Sequence, residues 1–333
     1  MDAMKRDEAG WGGTSGMNGM RGEREGVSPS TPRPLDPPIS RSADLPDRIV
    51  VGPHAKANLL LRILARETSG FHTLETLFTL LELADDLTVE RVASGIELVV
   101  EGADTGAVEA NLAYRAAAMV LDATNRRFGV RMHLVKHIPV GAGLGGGSAD
   151  GAAALHAVNA LAGNAVPRHE ILQMAARLGS DVPFLASGTP FALAWGRGER
   201  MFRLPPPPSA SVLLAVPSFG INTGKAYELL SRGRDWSQGR GAVLLEYDAL
   251  GTWGGIARLG GNDFEVPVFG KEPALRQLFE RLCATRPLLA RLSGSGSALI
   301  AIYRNAGDRD AAAMELGERD WRLIKTTTRT SVG

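Results

Sequence analysis

Residues 140–163 read VGAGLGGGSADGAAALHAVNALAG, with Gly141, Gly143, Gly145, Gly146 and Gly147 crowded into seven positions just ahead of an alanine-rich apolar run. No other stretch constrains the fold as strongly. A backbone without Cβ atoms can turn successive N–H groups toward one point, and a helix starting at Ser148 adds its unpaired amides and the positive end of its dipole. Such a turn cradles an anion, phosphate above all. A plain strand-to-helix turn needs fewer glycines.

Two familiar phosphate loops fail their context here. Gly141, Gly143 and Gly146 satisfy GxGxxG, but a dinucleotide fold needs a parallel strand after the helix, with an acid about 20 residues on for the ribose. Here the next segment, NAVPRHEILQMAARLG, is another helix. A Walker loop needs Gly-Lys-Ser/Thr, and no lysine follows these glycines.

Composition makes the site a local feature. Lysine plus arginine total 37 against 36 acids, so a net charge of +1 provides no general field for nucleic acid or an anionic bilayer. With 44% hydrophobic and 22% charged residues, 333 residues suit a soluble protein of two domains. The single cysteine, Cys283, excludes an internal disulfide and fits a reducing compartment, hence the cytoplasm. In LFERLCATR it reads as a packing residue on a helix. The histidines show no ligand spacing, so no zinc is expected, and a monomer or homodimer is equally compatible.

Residues 1–48 are dense in Gly, Pro, Ser and Arg without apolar period and read as a disordered extension, with the folded part starting near Ile49. Beyond it strands and helices mix without repeat, an α+β pattern. RIVVG, NLLLRILA, two strands around a turn at Ser94–Gly95, and VRMHLVKHIPV up to Pro139 read as strands. A helix from the N-cap Asn111 to Gly129, then helices Ser148–Leu161 and Arg168–Leu178, follow the 3.6-residue period. TPFALAWGRGERMFRL reads as a hairpin, and Pro205–Pro208 marks a domain boundary between 49–204 and 209–333. The second half, strand–helix–strand–helix–strand, suggests a split βαβ unit.

Several residues carry candidate chemistry. Asp181 in GSDVPF is a lone acid beside apolar VPFLA, suited to a general base whose pKa burial tunes, or equally to a helix cap before Pro183. Lys56 precedes a strongly apolar strand, where a charge needs a partner or solvent. Asn58, two residues on, shares its side of that strand. Phe71 and His72 set an aromatic beside an imidazole, able to stack on a flat base and bond its edge, or simply core and loop. Asn111 is a good N-cap, and Lys136 could be strand surface.

PVGAGLGGGSADGAAAL resembles the Pro-x-x-x-Gly-Leu-Gly-Ser-Ser motif of the galactokinase, homoserine kinase, mevalonate kinase and phosphomevalonate kinase (GHMP) superfamily. AKANLLLRI at Ala55, SGFHTLETLF at Ser69, LGSDVPFLASG at Leu178, GNDFEVPVF at Gly261 and LSGSGSALIAIY at Leu292 follow in family order, from about Ile49 to the C-terminus. The resemblance implies a ribosomal-protein-S5-like ATP domain followed by a ferredoxin-like domain. It also implies phosphoryl transfer from ATP to the 2-hydroxyl of a cytidine-diphosphate-linked methylerythritol, in the non-mevalonate route to isoprenoid precursors. Homoserine, mevalonate or a sugar as acceptor, or an inactive ATP-binding regulator, stay open. By resemblance Asp181 is the catalytic base and Lys56 its partner. Pro139, Gly141, Gly143, Leu144, Gly145, Gly146, Gly147, Ser148, Asn111 and Lys136 fall at nucleotide positions. Asn58, Phe71, His72, Tyr227, Ser293, Gly294 and Ser295 fall at acceptor positions. Ala149 stands where the family has a second serine, so the ligands of the magnesium that accompanies ATP stay unassigned.

Overall fold

The computed structural model describes residues 45–67, 71–233 and 245–332, and the chain from Ala43 onward forms one compact unit. The expected disordered extension falls outside these residues up to position 44, and Arg48 is already paired in a strand. In chain order the strands are β1 (Arg48–Val51), β2 (His54–Arg66), β3 (His72–Ala84), β4 (Asp86–Val92), β5 (Ile96–Glu101), β6 (Gly129–Val135), β7 (Phe191–Gly196), β8 (Arg200–Arg203), β9 (Ser211–Pro217), β10 (Leu289–Leu292), β11 (Leu299–Tyr303) and β12 (Trp321–Thr327). The helices are α1 (Leu112–Ala123), α2 (Gly146–Leu161), α3 (Arg168–Leu178), α4 (Val182–Ala186), α5 (Thr223–Gly233), α6 (Tyr247–Leu250), α7 (Trp253–Arg258), α8 (Glu265–Lys271), α9 (Pro273–Ala284) and α10 (Ala306–Leu316).

The strands form three sheets, ordered β1-β4-β6-β5, β2-β3-β7-β8 and β10-β11-β9-β12. In the first, Val130, Met132 and Leu134 alternate inward from β6 and, with Leu87 and Val89, pack on α1, α2 and α3. Alanines at 116, 117, 154 and 157 let α1 and α2 lie close together there. Strands β4 and β5 do not pair across the Ser94–Gly95 turn; they flank β6, which is antiparallel to β4 and parallel to β5. Strand β2 is buried continuously from Ala55 to Ile63, as a strand covered on both faces must be.

The third sheet runs β12-β9-β11-β10 with every neighbour antiparallel, the arrangement of a ferredoxin-like split βαβ unit. Its inner face shares a core with the second sheet: Leu59, Leu60, Leu77 and Phe191 pack with Val212, Leu214, Ile300 and Ile302 across the Pro205–Pro208 run.

Some ends differ from the sequence reading for local reasons. Helix α1 stops at Ala123, six residues before Gly129, because the Thr124 hydroxyl bonds back to Val120 and Asn125 and Arg126 adopt φ of 57° and 47°. Strand β6 ends at Val135, since the N–H groups of His137 and Ile138 donate to Asp85 Oδ1 at 2.6 and 2.8 Å instead of continuing the ladder. Strand β2 begins at His54, bringing Lys56 inside it, and α2 begins two residues early, at Gly146. Among the described residues no helix is long and apolar enough to cross a membrane.

Candidate active site

The glycine run leaves Pro139 and turns into α2 through Gly141, Gly143 and Gly145, at φ of 71°, 80° and 72°. Gly143 is required by contact as well as by φ: a Cβ there would lie 2.1 Å from the Ser293 carbonyl oxygen. That approach ties the run to the second small-residue loop, between β10 and β11. The Ser293 hydroxyl donates to Gly143 O at 2.9 Å, and Ala298 N donates to Ala142 O at 2.9 Å. Asn262, a residue the sequence reading did not single out, donates to the carbonyls of Leu292 and Gly294 and so sets the second loop's shape.

A cleft of about 350 Å³ opens over the run, lined by Pro139, Leu144, Gly145, Gly146, Gly147 and Ser148 at the helix mouth and by Asn111 opposite. Asn111 caps α1, accepting from Ala113 N at 2.9 Å, while its amide reaches Thr105. A Cβ at Gly147 would meet nothing within 4 Å, so its bare backbone faces open space.

Lys136 also lines this cleft, but not as strand surface. Its ammonium is buried between two carboxylates, pairing with Asp85 and, at 2.6 Å, with Asp150 Oδ2. Burial, opposed by Lys136, pushes the Asp150 carboxyl up to about 7, and its Oδ1 has no hydrogen-bond partner among the described residues. Neither acid was visible as a site residue, because Asp85 reaches Lys136 from across the sheet.

Lys56 and Asp181 meet next to the loop. Lys56 is 2% exposed, its N–H donates to Leu144 O at 2.9 Å, and its stem runs along Gly145, where a Cβ would lie 2.8 Å from Cγ. Asp181 opens α4 without capping it; its Oδ2 stands 3.0 Å from Lys56 Nζ. An ammonium this deep requires a counter-charge, which Asp181 supplies from a partly exposed position. Lys56 Nζ also donates to Asn58 Oδ1, Asn58 Nδ2 to Thr76 Oγ1, and Thr76 Oγ1 to Leu60 O, each at 2.7 Å. The Phe78 ring, stacked on Phe184, lies 5.5 Å from Lys56 Nζ.

Phe71, His72 and Tyr227 line a second, larger cleft of about 700 Å³. His72 and Tyr227 stack directly on each other, centroids 4.6 Å apart and planes 22° from parallel, which leaves no slot for a base between them. Only the outer faces of this stack are open to a further flat ring. Tyr227 meets Phe264 edge-on at 4.9 Å, and burial, reinforced by the charge of Asp181, pushes its phenol up to about 12. Burial and the charge of Arg66 lower the basicity of His72. Phe71 is 56% exposed, with the Arg197 guanidinium 4.0 Å from its centroid.

A central cleft holding Lys56, Asn58 and Asp181 joins the other two. It shares Gly143 and Ser148 with the glycine cleft, and Leu74, Ser180, Arg197, Thr223 and Tyr227 with the aromatic one. Gly294 and Ser295 line it too, and Ser295 bonds Thr223 at 2.9 Å. Ser293 instead spends its hydroxyl between the loops. Ala149 is buried within α2, whereas Ser148 lines both the glycine cleft and the central one. Among the described residues no three His, Cys, Asp or Glu form a metal cage. An anion's phosphates can thus lie on the helix mouth while a second molecule reaches Asp181 from the aromatic side.

The family model described as GHMP kinases N terminal domain matches residues 111–189, and that for GHMP kinases C terminal matches residues 246–321. The chain is 39% identical over 280 residues to the 4-diphosphocytidyl-2-C-methyl-D-erythritol kinase of Solibacter usitatus, covering 83% of this chain and 87% of that one. It is 38% identical over 289 residues to the same-named protein of Moorella thermoacetica, covering 85% and 99%. A crystal structure of 4-(cytidine 5′-diphospho)-2C-methyl-D-erythritol kinase superposes with a TM-score of 0.71 at 35% identity, over 84% of this chain and 99% of that one. The fold extends to L. major mevalonate kinase, with a TM-score of 0.66 at 14% identity.

Proposed function

The chain belongs to the GHMP kinases, in their 4-diphosphocytidyl-2-C-methyl-D-erythritol kinase branch, and we propose from this that it transfers the γ-phosphate of ATP to the 2-hydroxyl of 4-(cytidine 5′-diphospho)-2-C-methyl-D-erythritol, releasing ADP. The observation that carries the reading is the Lys56–Asp181 pair, 3.0 Å apart, on the wall common to a phosphate cradle and an aromatic cleft.

The proposed roles follow from charge and position. The amides of Gly145 to Ser148 and the α2 dipole meet the phosphates of ATP. Asp181 Oδ1 or Oδ2 accepts the proton of the attacking hydroxyl, and Lys56 stabilises both the carboxylate and the charge spreading over the transferred group. Asn58, fixed between Lys56 and Thr76, keeps the ammonium aimed. The acceptor's cytosine lies against the outer faces of Phe71 and the His72–Tyr227 stack, whose imidazole can bond a base edge. Ser148, which lines both the glycine cleft and the central cleft, would offer a side-chain oxygen to the magnesium carried by the triphosphate, which would neutralise phosphate charge there. A single cysteine suits activity in the reducing cytoplasm.

The test is ADP release coupled to a reporter, over a panel of acceptor alcohols. The cytidine-diphosphate-linked methylerythritol should be turned over, whereas homoserine, mevalonate and galactose should not. Comparable turnover of an acceptor lacking the base would overturn the assignment.

A further inference from the structure

The glycine cleft borders a cluster of buried charge that none of the roles above uses. Asp85, at the junction of β3 and β4, is wholly buried, and its carboxylate accepts from three donors. The ammonium of Lys136 meets Oδ2, and the N–H groups of His137 and Ile138 meet Oδ1 at 2.6 and 2.8 Å. Those two amides form the exit of β6 toward Pro139 and the glycine run. Asp150, inside α2, accepts a second Lys136 N–H at 2.6 Å. One ammonium therefore ties together the β3–β4 junction, the β6 exit and α2.

The helix mouth rests against that ammonium. A Cβ on Gly146, the first residue of α2, would lie 3.3 Å from Lys136 Nζ and 3.0 Å from the Ile138 side chain, so both press on bare backbone there. Ile138 in turn shares a core with Ala142 and Leu144 of the run. Lys136 is also fixed through its own backbone, its N–H donating to Glu101 O at 2.9 Å. A lysine that serves as a phosphate's counter-charge presents its head to the phosphate. This one gives two N–H bonds to carboxyl groups, and its side chain is 2% exposed. A buried ion cluster gains little stability over apolar packing of the same volume. What this one does is fix where the run leaves β6 and where α2 begins.

We infer that Asp85 is a positioning residue for ATP: through Lys136 and Asp150 it holds the β6 exit and the mouth of α2 in the shape that receives the phosphates, and Lys136 is the tie between them, not the phosphates' counter-charge. This rests on the ATP reading given above. The test is the dissociation constant for ATP by calorimetry, together with melting temperatures, for the full-length wild type, Asp85→Asn and Asp150→Asn. Each variant keeps the side chain's shape, and an asparagine at 85 can still accept the two amide bonds. The two roles for Lys136 differ in sign. As a tie, it loses its anchor in Asp85→Asn, and ATP should bind about fivefold or more weakly while the KM for the acceptor stays at the wild-type value. Asp150→Asn should shift ATP in the same direction, which keeps the test readable should Asp85→Asn not fold. A Lys136 that met the phosphates directly would be freed by either change, and ATP would bind as tightly or more tightly. A merely structural cluster would lower the melting temperature and leave the ATP constant where it was. Either of those results, in a wild type that binds ATP, overturns this inference alone. A wild type that does not bind ATP overturns the functional reading and this inference with it.

Discussion

At the scale of single residues, the site is governed by which charges are allowed to be buried. Lys56 is tolerated at 2% exposure because Asp181 pairs with its charge and Asn58 accepts one of its N–H bonds, and the arrangement leaves Asp181 free of any capping duty. Asp181→Asn keeps the shape and removes the proton acceptor. Turnover should fall by about a hundredfold or more while the dissociation constant for ATP, followed by calorimetry, stays near wild type; undiminished turnover would remove the base assignment. Asp150 gives a pH dependence with a definite sign. Its carboxyl is raised by burial from 3.8 to about 7, so the folded chain binds this proton more tightly than the unfolded one. The stability linked to it is therefore present at low pH and lost as pH rises from about 4 to about 7. Urea midpoints of Asp150→Asn should show a flatter slope over that range than wild type, and an identical slope would mean another group titrates. Spacing alone left Asp181 poised between base and cap and Lys136 between nucleotide contact and surface. Groups distant in sequence set their surroundings: Lys56 pairs with Asp181, which does not cap α4, and Asp85 buries Lys136 with Asp150.

At the scale of elements, the glycine run does two separate jobs. Gly143 serves the chain itself, admitting the Ser293 carbonyl so that the two small-residue loops can be stitched together. Gly147 has no neighbour within 4 Å and serves whatever lies on the helix mouth. Gly143→Ala should therefore lower the melting temperature, since a Cβ at φ 80° is strained and also strikes backbone. Gly147→Ala should melt as wild type yet bind ATP several-fold more weakly. If the two variants behave alike in both assays, the division of labour is wrong. The run's place at a helix mouth was legible because five bare residues ahead of an alanine-rich apolar run mark a turn into a helix. Its partner loop was legible only as a second cluster of small residues, and Asn262, which shapes it, lay inside the GNDFEVPVF segment without being singled out.

For the whole molecule, the hydrophobic core does not respect the proline run. Leu59, Leu77 and Phe191 pack with Val212, Leu214, Ile300 and Ile302, and the Trp253 indole N–H bonds the Pro208 carbonyl. Unfolding should accordingly be one cooperative transition, with far-ultraviolet circular dichroism and tryptophan fluorescence coincident; two separated transitions would show halves that fold independently. The amino-acid sequence by itself determined the α+β class, the glycine run at the mouth of α2 and the closing ferredoxin-like pattern. Each of these is local: glycine tolerates positive φ, and apolar spacing marks one face of a helix or strand. Only the tertiary structure decided that β4 and β5 flank β6, that His72 stacks on Tyr227, that Arg197 spans two clefts and that Lys136 lies between two acids. Those outcomes depend on contacts between segments far apart in the chain, where burial and charge pairing outweigh any preference the neighbouring residues express.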